Sequence, residues 1–193
     1  MRILSFDVGI KNLAFFDVEF GDLAEGGVAA GETRIVGSGV LDVSAKTVPM
    51  MIERLVDVLA ARFAGGGYDT VLIENQPAIK NPRVKTVQTA VHTWFAARDP
   101  RPTVVLCAPK GKNDLCCAIN GEDHPKSYRD AKKQAVRTAA AILGDDALPR
   151  AKRDDAADAF LQAVHYFLKA RAGGVSRDAF HKSIKIDHEH HNA

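Results

Sequence analysis

The sequence predicts an α/β protein in which a mixed central β-sheet is flanked by helices. Short apolar segments at 2–7, 69–74 and 103–107 alternate with longer segments whose apolar residues recur every three or four positions. With 193 residues, of which 46% are hydrophobic, the chain is long enough to bury a substantial core in one domain. We place that domain at residues 1–172 and a polar, flexible C-terminal tail at 173–193.

The N-terminal part is predicted to form three consecutive strands. A buried strand at 2–7 and a second strand at 12–19 are joined by a turn that contains Gly9, which favours a hairpin. Residues 21–32 are rich in glycine and alanine and are predicted to form a loop. The β pattern resumes over 34–43.

The next segment predicts a helix followed by a buried strand. Apolar residues at helical spacing indicate a helix over 48–63, and the glycines at 65–67 end it. The strand at 69–74 ends in a carboxylate, Glu74. This arrangement repeats the one at the N-terminus, where the first strand ends in Asp7.

The C-terminal half is predicted to be mainly helical. A helix over 81–98 precedes a third central strand at 103–107, and a basic loop then covers 109–127. Two further helices are predicted at 128–143 and 152–170, separated by the helix breaker Pro149.

Composition limits the classes of protein that the chain can belong to. The net charge of +2 is too small to indicate or exclude a nucleic-acid partner, because local patches matter more than totals. Three cysteines, an odd number, are not typical of a disulfide framework and favour a reducing compartment. The chain contains no run of about 20 apolar residues and no signal segment, so we expect a soluble intracellular protein that is not secreted.

Carboxylates from three separate segments are predicted to meet at one edge of the sheet. Asp7 and Glu74 end central strands, and ligand sites in open α/β sheets gather at that edge. On the last helix, either Asp155 or Asp154 shares a face with Asp158. Taken alone, an acid in the first turn of a helix only favours the helix dipole, but three converging segments indicate a common ligand.

That ligand is predicted to be a divalent metal. Clustered carboxylates raise one another's pKa values unless a cation lies between them. Oxygen ligands suit Mg²⁺ or Mn²⁺ better than zinc. Two such ions, about 3.5–4 Å apart, stabilise the attacking and leaving oxygens of a phosphodiester. Asp7 is therefore expected to face a metal.

Four segments of the chain together resemble a known family. They are SFDVGIKNLAFF, VLIENQPAIKNPRVK, YRDAKKQAV and KRDDAADAFLQA. In this order they are similar to the RuvC-like Holliday junction resolvases of the ribonuclease H-like superfamily, and most similar to the poxvirus and fungal mitochondrial branch. The resemblance extends from residue 2 to about residue 170.

The resemblance implies a ribonuclease H-like fold and a homodimeric endonuclease that resolves four-way DNA junctions by paired symmetric nicks. It implies Mg²⁺ as cofactor, with Mn²⁺ as a substitute and two ions in each active site. The four metal ligands that it implies are Asp7, Glu74, Asp155 and Asp158.

The resemblance also implies residues that contact DNA. A basic residue facing the scissile phosphate is either Lys132 or Lys133, and the sequence leaves that choice open. Further positions expected near the DNA backbone are Lys11, Asn12, Gln76, Lys80, Asn81, Lys110 and Lys126.

The aromatic residue that bacterial members place at the junction centre is replaced here by the Asn-Gln-Pro segment at 75–77. The helix over 81–98 is either a dimer surface or an ordinary part of the core, through Val84, Val87, Val91, Trp94 and Phe95.

Other functions compete with junction resolution. A ribonuclease H-like nuclease acting on flaps, other branched DNA or RNA would use the same residues. A phosphotransferase of the actin or sugar-kinase type also begins with Asp-x-Gly, but it has a small hydroxyl residue where this chain has Lys11, and it needs two domains. A non-catalytic nucleic-acid binding module leaves the carboxylates unexplained, because acids weaken phosphate binding when no metal is present.

Overall fold

A computed structural model describes residues 1–21, 33–77, 79 and 81–172. The helices and strands, in chain order, are β1 Arg2–Asp7, β2 Leu13–Glu19, β3 Arg34–Leu41, α1 Val48–Phe63, β4 Thr70–Glu74, α2 Pro82–Ala96, β5 Thr103–Cys107, α3 Lys110–Asn120, α4 Tyr128–Leu143 and α5 Arg153–Ala172. A short 3-10 helix, Asp145–Ala147, lies between α4 and α5. The predicted loop beyond Gly21, the tail at 173–193 and Lys80 lie outside the described residues.

The five strands form one mixed sheet, in the order β3-β2-β1-β4-β5. β1 and β2 form the predicted antiparallel hairpin, and β3 pairs antiparallel with β2. β4 pairs parallel with both β1 and β5. Phe6 of β1 lies opposite Ile73 of β4, so Asp7 and Glu74, one residue further on, end at the same edge of the sheet.

The sheet separates two apolar cores. On one face α1 and α2 cover the sheet, with Leu55, Phe63 and Phe95 fully or almost fully buried. On the other face α3, α4 and α5 pack together, and the Phe160 ring of α5 lies 4.9 Å from the Phe16 ring of β2. The predicted α/β architecture, a mixed sheet flanked by helices, is confirmed.

The prediction of a loop over 109–127 is wrong, because helix α3 occupies most of this segment. The sequence of α3 begins Lys-Gly-Lys-Asn-Asp and has no side chain that caps its N-terminus, so its local signals are weak. Its apolar face is short and centres on Leu115 and Cys116, which pack into the core beneath α4 and α5. Gly121, with φ of 67°, ends the helix in the left-handed conformation that glycine favours.

A strand is present at 103–107 as predicted, but the prediction that it lies in the centre of the sheet is wrong. β5 matches those bounds, but among the described strands it pairs only with β4 and forms an edge of the sheet. Leu106 is accordingly 44% exposed. The apolar composition of this strand predicts a strand but not its place in the sheet.

No helix in the described ranges is both long enough and apolar enough to cross a lipid bilayer.

Candidate active site

Parallel pairing of β1 with β4 brings the first two acids together. Asp7 and Glu74 are the last residues of their strands and share one edge of the sheet. The chain then turns sharply at Gly9, where a Cβ atom would lie 2.5 Å from the backbone oxygen of Asn12. Any side chain at Gly9 would therefore disturb the turn that holds Asp7 at this edge.

Helix α5 supplies the other acids because one of its faces lies against β1. Gln162 is buried, and its amide Nε2 donates a hydrogen bond to Ser5 Oγ at 3.1 Å. Asp158, one turn earlier on the same face, is only 5% exposed and is directed towards the end of β1. Asp155 lies one turn before Asp158.

Lys132 of α4 connects the acids of the strand to those of the helix. Its Nζ lies 2.7 Å from Asp158 Oδ2, 2.8 Å from Asp155 Oδ1 and 3.6 Å from Asp7 Oδ2. The Lys133 side chain is exposed and lines a different groove. The sequence left the choice between the two lysines open, and this geometry favours Lys132 as the residue that points inward.

A second lysine, which the sequence did not predict, also reaches the acids. Lys112 of α3 is buried, with its Nζ 3.1 Å from Asp158 Oδ2 and 3.5 Å from Glu74 Oε2. Gly111 permits this approach, because a Cβ there would lie 2.5 Å from the His165 ring of α5. The spacing of Lys112 from Leu115, Cys116 and Ile119 is helical and was the available signal.

The electrostatics follow from burial and from opposing charges. Burial, together with a hydrogen bond and charge repulsion from Glu74, raises the pKa of Asp7 well above its usual value. Burial alone would raise the pKa of Glu74, but the hydrogen bond with Asp7 and the charge of Lys112 lower it overall. Burial also opposes the charged forms of Lys112 and Lys132, but the surrounding carboxylates, Asp158 foremost, together outweigh it and raise both pKa values.

The donor set fits a hard divalent cation. The acids border a cavity of about 370 Å³. Four carboxyl groups with no sulfur or imidazole among them form the oxygen-only environment that Mg²⁺ or Mn²⁺ prefers. Among the described residues, no three acidic, histidine or cysteine side chains already surround a common point as metal ligands. Lys112 and Lys132 instead supply the positive charge that the acids require.

The predicted DNA-contacting residues divide into two groups. Asn12 and Gln76 line the cavity, and the Gln76 backbone N–H is fixed by a 2.7 Å hydrogen bond to Gln88 Oε1. The others that the structure describes do not line the cavity. Lys11, Lys110 and Lys126 are exposed, and Asn81 caps α2 by accepting a hydrogen bond from the backbone N–H of Val84.

The chain matches the family described as "Poxvirus A22 protein" over residues 1–170. It is also similar to the uncharacterized protein L451 of Acanthamoeba polyphaga mimivirus, with 28% identity over 137 residues. The matched segment is 60% of this chain and 32% of L451, so the chain spans about a third of the length of that curated relative.

Solved structures share the fold at low sequence identity. Thermus thermophilus RuvC has a TM-score of 0.61 at 22% identity, over 90% of this chain and 97% of RuvC. The Fowlpox virus resolvase, solved in complex with substrate Holliday junction DNA, has a TM-score of 0.57 at 19% identity, over 86% of this chain and 99% of the resolvase. The yeast mitochondrial Holliday junction resolvase Ydc2 has a TM-score of 0.55 at 16% identity, over 86% of this chain and 78% of Ydc2.

These structures confirm the predicted fold, since RuvC and the resolvases have the same arrangement of sheet and helices over most of their length. The family match covers nearly all of the described chain and agrees with the resemblance seen in its sequence. The chain therefore has the fold of these structures and belongs to the Poxvirus A22 protein family.

Proposed function

We propose that the protein resolves four-way DNA junctions as a metal-dependent endonuclease that makes paired symmetric nicks. The main supporting observation is the convergence of Asp7, Glu74, Asp155 and Asp158, from three distant segments, around one buried and one partly buried lysine. Membership of the Poxvirus A22 protein family supports junction DNA as the substrate, as does the similarity to a RuvC solved with a Holliday junction and to the fowlpox resolvase.

RuvC-like resolvases are metal-dependent nucleases, and we propose two Mg²⁺ ions, replaceable by Mn²⁺, for this active site. Asp7, Glu74, Asp155 and Asp158 would hold them. When bound, the metal activates a water molecule and stabilises the charge that develops on the phosphate oxygens. Because metal binds the carboxylate form, the raised pKa of Asp7 means that protons and metal would compete for this residue.

The two lysines are proposed to have different roles. Lys132 is placed beside Asp155 and Asp158 but keeps 14% of its side chain exposed at the cavity, so it would face the scissile phosphate once metal neutralises the acids. Lys112 is more deeply buried and joins Glu74 to Asp158. It would act as a positioning residue that holds these two carboxylates in place.

Asp155 and its neighbour Asp154 are expected to contribute unequally to cleavage. Asp155 lies 2.8 Å from Lys132 Nζ with 16% of its side chain exposed, whereas Asp154 lies 3.8 Å away and is 43% exposed. We expect Asp155→Asn to lose far more turnover than Asp154→Asn, which removes mainly an early-helix acid worth about 0.3–1 kcal/mol. Single-turnover cleavage of a junction in Mg²⁺ measures this, and equal losses in both variants would contradict the assignment.

The homodimer is proposed to form through the outer surface of α1 and α2. The sequence-predicted dimer face is wrong for Val87, Val91 and Phe95, which are fully buried against the sheet. The exposed side of the same helix forms an apolar groove of about 630 Å³ with α1. That groove is lined by Ile52, Val56, Thr86, Thr89, Ala90, Thr93, Trp94, Ala97 and Arg98. An isologous dimer on this surface would supply the two-fold symmetry that paired nicks require.

A charge placed in this groove should prevent dimerisation. Val56 is 41% exposed and lines the groove, so Val56→Arg is expected to give a monomer at micromolar concentration in sedimentation experiments. Met50, also on α1 and 50% exposed, does not line the groove, and Met50→Arg serves as the matched control. If both variants sediment as dimers, the proposed surface is wrong.

Substrate choice is tested directly by incubating the protein with a mobile four-way junction, a linear duplex and a flap, in Mg²⁺ and in EDTA. We expect metal-dependent, symmetric nicking of the junction and little cleavage of the duplex. Preferential cleavage of the flap would favour the alternative branched-DNA nuclease. Absence of any cleavage in Mg²⁺ and in Mn²⁺ would overturn the proposed function.

A further inference from the structure

A groove beside the active site combines a cationic rim with an apolar floor. It has a volume of about 630 Å³ and lies between α4 and the start of α5. Val136, Ala140 and Ala141 form part of its lining. Asp154 also borders it, and Lys132 lines both this groove and the cavity that holds the catalytic acids, so the two are adjoining.

The cationic rim is a regular stripe along α4. Arg129, Lys133 and Arg137 follow one another at intervals of four residues, so they share one face and are spaced by about 6 Å per step along the helix axis. All three side chains are exposed. Within the part of the chain that the structure describes, neither Arg129 nor Lys133 has a carboxylate at ion-pair distance. Two positive charges beside the active site are therefore available to an anionic ligand.

From this arrangement we propose that the groove binds the sugar-phosphate backbone of the DNA strand that continues from the scissile phosphate. This inference rests on the proposed function and adds a specific strand path to it. Successive phosphates match a row of cations, and the carbon face of deoxyribose matches a floor of valine and alanine. Such contacts fix the position of the strand and carry no base information. The groove is thus a positioning surface that reads the shape of the backbone.

Glu122 forms an ion pair with Arg137, the last basic residue of the stripe. Its Oε1 lies 2.7 Å from Arg137 Nη2, and its Oε2 accepts a 3.1 Å hydrogen bond from Gln134 Nε2. A phosphate that approaches Arg137 must compete with this carboxylate. Glu122→Gln removes the competing charge and should strengthen junction binding, whereas neutralising the basic residues should weaken it. Changes of opposite sign at adjacent positions are not expected of a surface that makes no contact with DNA.

The experiment measures junction affinity in EDTA as a function of salt for the full chain and its variants. The double variant Arg129→Gln/Lys133→Gln is expected to bind roughly tenfold more weakly and to reduce the slope of log affinity against log salt by about two, one for each lost phosphate contact. Lys169→Gln, at the exposed C-terminal end of α5, is the matched control and should bind like the wild-type protein.

A second measurement locates the contacted phosphates. Single methylphosphonate groups, which carry no charge, are introduced on either side of the cleavage position. At two or more adjacent positions on one side, the substitution should weaken binding by the wild-type protein but not by the double variant. If the double variant keeps the wild-type affinity and salt slope, or responds to every methylphosphonate as the wild-type protein does, the strand path is wrong. If the wild-type protein neither binds nor cuts the junction, the proposed function fails instead.

Discussion

Asp7→Asn is expected to abolish junction cleavage in Mg²⁺ while leaving the fold and junction binding intact. The amide removes a metal ligand, and we expect a rate loss on the order of 10³-fold or more, equivalent to about 4 kcal/mol of transition-state stabilisation. Folding should tolerate the change because the site beside Glu74 raises the pKa of Asp7, which favours a neutral side chain there, and the amide is neutral and of similar size. Binding should persist, since the amide adds no negative charge near the phosphates.

Three measurements check this expectation: single-turnover cleavage, junction affinity in EDTA and thermal unfolding. Glu74→Gln should behave in the same way in the cleavage assay. Asp57→Asn, the same change at an exposed position of α1, is the matched control and should cleave like the wild-type protein. Full cleavage activity of the Asp7→Asn protein would refute the proposed metal site.

Lys132→Met is expected to have the second-largest effect, and it should act on both cleavage and stability. Lys132 lies within 4 Å of Asp7, Asp154, Asp155 and Asp158. Its removal leaves buried negative charge uncompensated, which typically costs about 3–5 kcal/mol of unfolding free energy when no other cation remains. Lys112 remains here, so this range is an upper bound. Cleavage should fall by roughly 10²–10³-fold, because the positive charge that we propose to face the reacting phosphate is lost.

The stability effect of Lys132→Met should depend on metal. Thermal unfolding in EDTA is expected to show a clear loss, and saturating Mg²⁺ should recover much of it by supplying the missing charge to the carboxylates. Lys133→Met, at the exposed neighbouring position, should unfold at the wild-type temperature in both conditions. Identical unfolding of the two variants in EDTA would show that Lys132 does not bridge the acids.

Local sequence signals were sufficient for much of the fold and for part of the candidate site. The apolar runs of β1 and β4 end in Asp7 and Glu74, and any parallel arrangement of these strands brings both acids to one edge. The helix patterns of α1 and α4 gave bounds that agree with the structure, because their caps, Thr47 and Ser127, accept hydrogen bonds from the first turn.

The features that the sequence did not predict depend on how elements pack. Helix α3 is polar where it begins, and Lys112 is stabilised there only by acids that lie far away in the chain. Adjacent residues on a helix differ in direction by about 100°, so the choice between Lys132 and Lys133 depends on how α4 is rotated against α5. The edge position of β5 likewise depends on which strands pair, and composition does not determine that.

The division of the interior by the sheet affects how such a protein can evolve. The acids and both lysines lie on β1, β4, α3, α4 and α5, and α1 and α2 contribute none of them. Substitutions on the outer surface of α1 and α2 are separated from the chemistry by a full layer of strands, so their energetic effects should add independently to those at the acids. A lineage can therefore change the outer surface of α1 and α2, and with it the partner that binds there, while the residues that carry the chemistry stay the same.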